Sequence, residues 1–308
     1  MALYDVPAPA KINLFLHVTG RRPDGYHLLQ TAFRFIDLCD TLDFDVRSDG
    51  RIEREGEQIA GLAHEDDLVV RAARILQQNT GTALGAQIRY RKNIPSGGGL
   101  GGGSSDAATT LIALNRLWKT GLDRAALMRL GLLLGADVPV FIYGQPAFAE
   151  GIGEILSPLM LPERAYLVVQ PMQNVPTANV FSAANLTRDS PSVKISFFTD
   201  WQTINAPLNG LESCQLFGRN DLESVVFAQY PLVQQVATWL YGQGLNARMT
   251  GSGACFFVEF VTLEQATVCQ QEIVGKMLNR ENDNAVVIQK VWACSGLLEH
   301  PLRHWISS

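Results

Sequence analysis

Between Pro95 and Asp106 the chain reads Pro-Ser-Gly-Gly-Gly-Leu-Gly-Gly-Gly-Ser-Ser-Asp. Six glycines in seven positions, then two serines and a helical run, gather unblocked backbone N–H groups at the positive end of a helix, an arrangement that binds phosphate. A flexible linker of this composition carries neither a fixed proline on one side nor an amphipathic helix on the other. Gly97, Gly99 and Gly102 satisfy Gly-x-Gly-x-x-Gly, but they follow the charged stretch Ile88–Pro95 and not a buried strand, against a dinucleotide fold. No Lys-Ser or Lys-Thr pair directly follows the glycines, so this is not a Walker A loop. A third kind of phosphate cradle remains.

Side chains able to act on a bound phosphate lie elsewhere. In Lys11-Ile12-Asn13-Leu14-Phe15-Leu16-His17-Val18 the alternation puts Ile12, Leu14, Leu16 and Val18 on one face of a strand. Lys11 and Asn13 share the other, about 7 Å apart, either as an ordinary solvated face or as a pair serving one ligand. Asp137, in Gly135-Ala136-Asp137-Val138-Pro139, is a lone carboxylate in apolar company; taken alone it reads as a helix N-cap ahead of Pro139. Tyr26 and His27 follow a turn at Arg21–Gly25, where packing explains them as well as binding does.

The elements that must position these groups form two sets. Residues 31–44 and 85–91 are strand-like, and 67–78 are helical, with Asp66 or Asp67 as N-cap. A helix beginning at Ser104 or Ser105 runs to Gly121, and another spans 124–134. After a strand at 166–170, Pro171 and Pro176 mark the passage into a second domain. Residues 186–220, polar and weakly periodic, read as a long loop or lid. Helices at 221–227, 231–241 and 263–277, with strands around 249–258 and 285–291, predict helices on one side of an antiparallel sheet. The class is α+β, with domains at 1–162 and 163–308.

Composition bounds the function. The 308 residues are 47% hydrophobic and carry a net charge of −5, against a nucleic-acid binder, so any phosphate site is local. Five scattered cysteines without a Cys-x-x-Cys pair suggest neither a disulfide framework nor a zinc site, and suit a reduced cytoplasm. The N-terminus lacks the pattern of a signal peptide, and the most apolar run, 130–143, is too short to span a membrane.

Pro7-Ala8-Pro9-Ala10-Lys11-Ile12-Asn13-Leu14, Gly99-Leu100-Gly101-Gly102-Gly103-Ser104-Ser105 and Thr250-Gly251-Ser252-Gly253-Ala254-Cys255 resemble, in order, the three motifs of the GHMP kinases. Arg22–His27, His64-Glu65-Asp66 and Leu134–Pro139 resemble the branch that phosphorylates a cytidine-diphosphate-linked alcohol in non-mevalonate isoprenoid synthesis. The resemblance covers nearly the whole chain and is weakest over 186–220.

The resemblance implies an N-terminal α+β domain with a left-handed βαβ unit, a ferredoxin-like C-terminal domain and an active site between them. It implies Lys11 and Asp137 as the catalytic pair, with Asn13, Tyr26, His27 and Phe181 holding the cytidine-diphosphate alcohol. ATP, with Mg²⁺, would lie on Lys92, Pro95, Ser96, Gly97, Gly98, Gly99, Leu100, Gly101, Gly102, Gly103, Ser104 and Ser105; no protein metal ligands are assigned. Asp67 stands where the family pattern has an asparagine facing the adenine, either keeping that contact or only capping the helix. In phosphoryl transfer the loop, Lys11 and the ion would neutralise charge while Asp137 accepts the hydroxyl proton. A GHMP kinase for another alcohol, of mevalonate or homoserine type, and a non-catalytic binding protein are the alternatives.

Overall fold

The computed structural model describes residues 1–56, 64–204, 213–278 and 287–307. Two long antiparallel strands open it, β1 (Ala2–Arg21) and β2 (His27–Arg47), paired from Ala2↔Asp45 to Arg21↔His27. The alternation seen around Lys11 does not divide a wet face from a dry one, because Lys11 and Asn13 are each only 3% exposed. Between Asn13 and Leu16 the register shifts, and along its length the strand serves three buried clusters, with Ala10, Ile12, Leu14 and Phe15 in the one between the two domain cores. Val6 and Ala8 lie in the first core, whereas Leu16 and Val18 lie in the second.

The first domain continues with β3 (Ile52–Glu55), α1 (Leu68–Thr80) and β4 (Gly85–Arg91); β3 and β4 pair in parallel, making a β–α–β unit. Val69, Ala72, Ala73 and Leu76 give α1 its buried stripe, and Gly81 in the left-handed region ends it. Against it packs α2 (Gly102–Leu117), followed by α3 (Arg124–Leu132) and α4 (Val138–Tyr143). Strands β5 (Ala147–Glu150) and β6 (Ile155–Pro158) extend the sheet from β2. Helix α2 starts at Gly102, earlier than the serines suggested, because its N-cap, Gly101, provides no side chain.

The second domain contains β7 (Ala165–Pro171), α5 (Thr177–Ser182), α6 (Ile195–Ile204), α7 (Glu223–Gln229), α8 (Pro231–Gly242), β8 (Ala247–Met249), β9 (Phe256–Phe260), α9 (Leu263–Leu278) and β10 (Ile288–Leu297). Its strand order, β10-β7-β9-β8, with helices between β7 and β8 and between β9 and β10, is the ferredoxin-like arrangement. The end of β10 pairs with β2 through Gly296↔Ile36 and Leu297↔Phe35, joining both halves in one sheet. The chain end then returns to the first core, where Leu302 and Ile306 are buried and Arg124 holds the carbonyls of Arg303 and Ile306.

The expected long loop over 186–220 is corrected in its described part. It carries α6, whose Phe198 is fully buried and packs against Phe15 and Phe217 with ring centroids 5.4 and 5.2 Å apart. Polar neighbours hid this helix, since its aromatic anchors find their partners on β1 and at Phe217, outside the helix and at no helical spacing from it. Residues 205–212 of that expectation lie outside the described residues. Among the described residues no helix is long and apolar enough to cross a membrane.

Candidate active site

A cleft of about 420 Å³ lies between the domains, lined by Lys11 and Asn13 from β1, Lys92, Pro95 to Ser104, Asp137, Phe181, and Gly251 and Ser252 of the third motif. The glycine loop is held from behind. The carbonyls of Gly97 and Gly98 accept from the amides of Ala254 and Cys255, both at 3.1 Å, and Thr250 Oγ1 lies 3.4 Å from the Gly99 carbonyl. With those carbonyls turned to the second domain, the amides of Gly99, Leu100 and Gly101 donate to no group among the described residues. The first amides of α2 are free for the same geometric reason that any helix start leaves them free.

Two glycines are required here by space as well as by conformation. Gly99 has φ +74°, and a Cβ there would fall 2.0 Å from the Thr250 carbonyl oxygen. Gly101 has φ +72°, and a Cβ would meet Lys11 Cε and Cγ at 3.1 Å and the Phe141 ring at 3.0 Å. The loop thereby passes directly over Lys11, whose own amide donates to the Leu100 carbonyl at 2.9 Å.

Lys11 Nζ donates to Asn13 Oδ1 at 2.6 Å and lies 3.3 Å from Asp137 Oδ2. Asn13 is itself fixed. Its Nδ2 donates to Thr31 Oγ1 at 2.9 Å and its backbone amide donates to Thr250 Oγ1 at 2.9 Å. Asp137 occupies the N-cap position of α4 but its side chain makes no capping bond, so the capping alternative does not account for it. With 38% of its side chain exposed, it faces the cleft beside a buried ammonium. This pairs a cation with a carboxylate at the mouth of a row of open amides.

On the other side of the loop Lys92 Nζ bonds to Asp40 Oδ2 and, at 2.5 Å, to Asp106 Oδ2. Burial alone would lower the Lys92 ammonium, but Asp106 and Asp40 outweigh it and hold it above its ordinary value. Burial pushes the Asp106 carboxyl up to about 7, against the pull of Lys92 and with the help of Asp40. Asp40 Oδ1 also accepts from the amides of Asn93 and Ile94, at 2.5 and 2.8 Å, which fixes the approach to the glycine loop.

Asp67 is turned away from the cleft. Its Oδ1 accepts from the Val69 amide at 2.9 Å as the α1 N-cap, and its Oδ2 accepts from Tyr90 Oη at 2.8 Å and lies 3.2 Å from Arg54 Nε. It is 4% exposed, while its neighbour Leu68 lines the cleft. Ser105 is likewise committed to packing: fully buried, it donates its hydroxyl to the Pro9 carbonyl at 2.7 Å and ties α2 to β1.

At the far end of the cleft, Phe181 and His27 meet with ring centroids 5.4 Å apart, and Arg188 Nε donates to His27 Nε2 at 3.0 Å. Tyr26 is 59% exposed, and neither it nor His27 is among the residues that line the cleft. The sequence reading missed Thr31, Asp40 and Arg188, which sit far along the chain from their partners, and it gave Asp106 no role at the site. The proximity of Asp106 to the glycines was its one available signal.

Residues 67–145 match the family model for the GHMP kinases N terminal domain, and residues 202–287 match that for the GHMP kinases C terminal domain. The chain is 60% identical, over the whole of both chains, to 4-diphosphocytidyl-2-C-methyl-D-erythritol kinase of Bordetella parapertussis. It is 54% identical to the enzyme of that name from Azoarcus sp., covering 96% of this chain and 95% of the relative. A crystal structure of 4-(cytidine 5'-diphospho)-2C-methyl-D-erythritol kinase superposes with a TM-score of 0.76 at 32% identity, covering 96% of this chain and 99% of that one. A homoserine kinase of Cytophaga hutchinsonii shares the fold alone, with a TM-score of 0.63 at 15% identity over 97% and 95% of the two chains. Two domains meeting over a glycine loop, with both family models matched and full-length relatives at this identity, mean that the chain belongs to the GHMP kinase family.

Proposed function

We propose that this chain transfers the γ-phosphoryl group of ATP to the 2-hydroxyl of 4-diphosphocytidyl-2-C-methyl-D-erythritol, in non-mevalonate isoprenoid precursor synthesis. One observation carries the chemistry: the 3.3 Å Lys11–Asp137 pair stands beneath a loop whose amides are open. In this reading the substrate oxygen forms the new bond to the γ-phosphorus, the bond from that phosphorus to the bridging oxygen of ADP breaks, and Asp137 takes the hydroxyl proton. Lys11, held by Asn13, stabilises charge on the transferring group and the developing alkoxide. Lys92 and Pro95 to Ser105 form the ATP side, where Ser105 acts by anchoring α2 and Asp67 by capping α1. Tyr26, His27 and Phe181 hold the cytosine. Residues 1–162 then supply the nucleotide half and 163–308 the complementary half, with Leu16–Val18 and Leu302–Ile306 crossing between their cores.

The residues fit a magnesium ion carried in on the triphosphate. No group of three or more His, Cys, Asp or Glu side chains able to hold a metal exists among the described residues, and Asp137 is the single carboxylate lining the cleft. The Ser104 hydroxyl, in the first turn of α2 and lining the cleft, would be the protein oxygen to join phosphate and water ligands. The ion would neutralise phosphate charge. All five cysteines are free thiols, which suits the cytoplasm as the site of the reaction.

The test is ATP consumption measured with the cytidyl substrate, mevalonate and homoserine in parallel. Turnover confined to the cytidyl compound is the expected result. Preference for either other alcohol would replace this reading with another kinase of the family, and no turnover of any would favour a binding protein.

A further inference from the structure

Resting on that functional reading, we infer that Arg188 sets the base specificity of the substrate site by fixing the tautomer of His27. Arg188 Nε donates to His27 Nε2 at 3.0 Å. A guanidinium has five donors, no acceptor, and stays protonated, so the imidazole nitrogen facing it must present a lone pair. The proton of neutral His27 is therefore on Nδ1. That nitrogen makes no hydrogen bond among the described residues, and it is not among the buried polar atoms left without a partner, so it remains open to a ligand.

The guanidinium is locked in this duty. Its Nη2 donates to the Ala183 carbonyl at 2.6 Å, and its Nη1 donates to the carbonyls of Leu186 at 3.0 Å and Ala184 at 3.3 Å. These bonds cap the chain just after α5, which carries Phe181, so the same side chain fixes the stacking ring and the histidine beside it. Protonation of His27 would turn an N–H against an N–H. Burial, then Arg188, then Arg21 hold its imidazole below its ordinary value, which keeps Nε2 bare.

A fixed Nδ1–H donor distinguishes two bases that Phe181 could stack equally well. Cytosine presents N3 as an acceptor, whereas uracil presents N3–H as a donor and would leave two donors facing each other. Hydrogen-bond polarity of this kind excludes the wrong partner more strongly than ring shape does. Arg188 is thus a positioning residue: it contacts neither base nor phosphate in this arrangement, and it acts through His27.

Two measurements test this. In ¹⁵N-histidine spectra of the intact free protein, with His27 assigned by correlation of its ring to its own backbone resonances, the Nδ1–H tautomer is expected at neutral pH; the Nε2–H tautomer overturns the inference without requiring any variant to fold. The second compares kcat/KM for the cytidyl substrate with that for its uridine counterpart. Arg188→Met is expected to reduce the preference for cytidine about tenfold or more through KM, with kcat little changed, and Arg188→Lys, which retains a donor, to restore part of it. An unchanged preference in a folded Arg188→Met protein overturns the inference while leaving the kinase reading intact. Absence of turnover with either nucleotide compound removes the functional reading itself, and this inference with it.

Discussion

Lys11 reaches the cleft from β1 and Lys92 from just past the end of β4, and their surroundings differ in the way that the proposed reaction asks of a reacting group and a supporting one. The Lys11 ammonium has a neutral amide oxygen at 2.6 Å and a carboxylate at 3.3 Å that is itself 38% exposed. The Lys92 ammonium lies between two carboxylates that are almost wholly buried. Asp40 and Asp106 more than neutralise Lys92, whereas Asp137 can leave Lys11 for a proton or a substrate. A buried cation whose partner is loosely held keeps field available for charge that develops in a reaction; one clamped on two sides serves geometry.

The contrast should break hardest at the first pair. Asp137→Ala is expected to lose roughly 10² to 10⁴ in kcat with a smaller change in either KM, measured in steady-state assays, because a base acts in the transition state. Lys11→Ala should be similarly impaired, and the double variant little worse than the poorer single one; additive losses would mean the two do not act as a unit.

At the second pair the largest effect should appear in stability. Asp40→Ala leaves Lys92 half-clamped and two amides without their acceptor, at a cost of roughly 3–5 kcal/mol in denaturant unfolding. A loss below 1 kcal/mol would show the clamp to be dispensable. Lys92→Met should raise the KM for ATP about tenfold while kcat stays within about threefold. A collapse of kcat in that protein would erase the distinction drawn between the two lysines.

Asp106 makes the clamp sensitive to pH. Its carboxyl is raised in the native state to about 7, so between about pH 4 and 7 the native protein binds the proton that the unfolded chain has released. Its contribution to stability therefore falls as pH rises through that window and levels off above it. Asp106→Asn should flatten this part of the unfolding free-energy profile, and an unaltered slope would locate the titration elsewhere.

The smallest effect is expected at Asp67. Asparagine keeps an acceptor for the Val69 amide but gives up the charge that pairs with Arg54, so Asp67→Asn should cost about 0.5–1.5 kcal/mol of stability and leave the KM for ATP within about twofold. A clearly lower KM would return this side chain to the adenine.

What was legible in the chain was what depends on local chemistry. The glycine density marked the cradle because a positive φ and a close backbone approach are written at the residues that meet them, whereas Lys11, Asn13 and the late Thr-Gly-Ser-Gly stretch were read through the family resemblance, and Asp137 taken alone reads as an N-cap. The strand at 85–91 and the helix after Asp67 were likewise readable, since their periodicity matches the layers they bury. The helix over Ile195–Ile204 was not, because the partners of Phe198 are Phe15 on β1 and Phe217, neither at a helical spacing from it.

The sequence by itself determined that a phosphate cradle exists and that two α+β halves carry it; Lys11 and Asp137 came forward as a pair only through the family resemblance. Only the tertiary structure decided how each charged group is held. Asp40 lies 52 residues from Lys92 in the chain, Arg188 lies 161 from His27, and Thr250 lies 237 from Asn13. Ionisation, tautomer and side-chain direction depend on such neighbours through burial and Coulomb interaction, which act across space and leave no periodic trace along the chain.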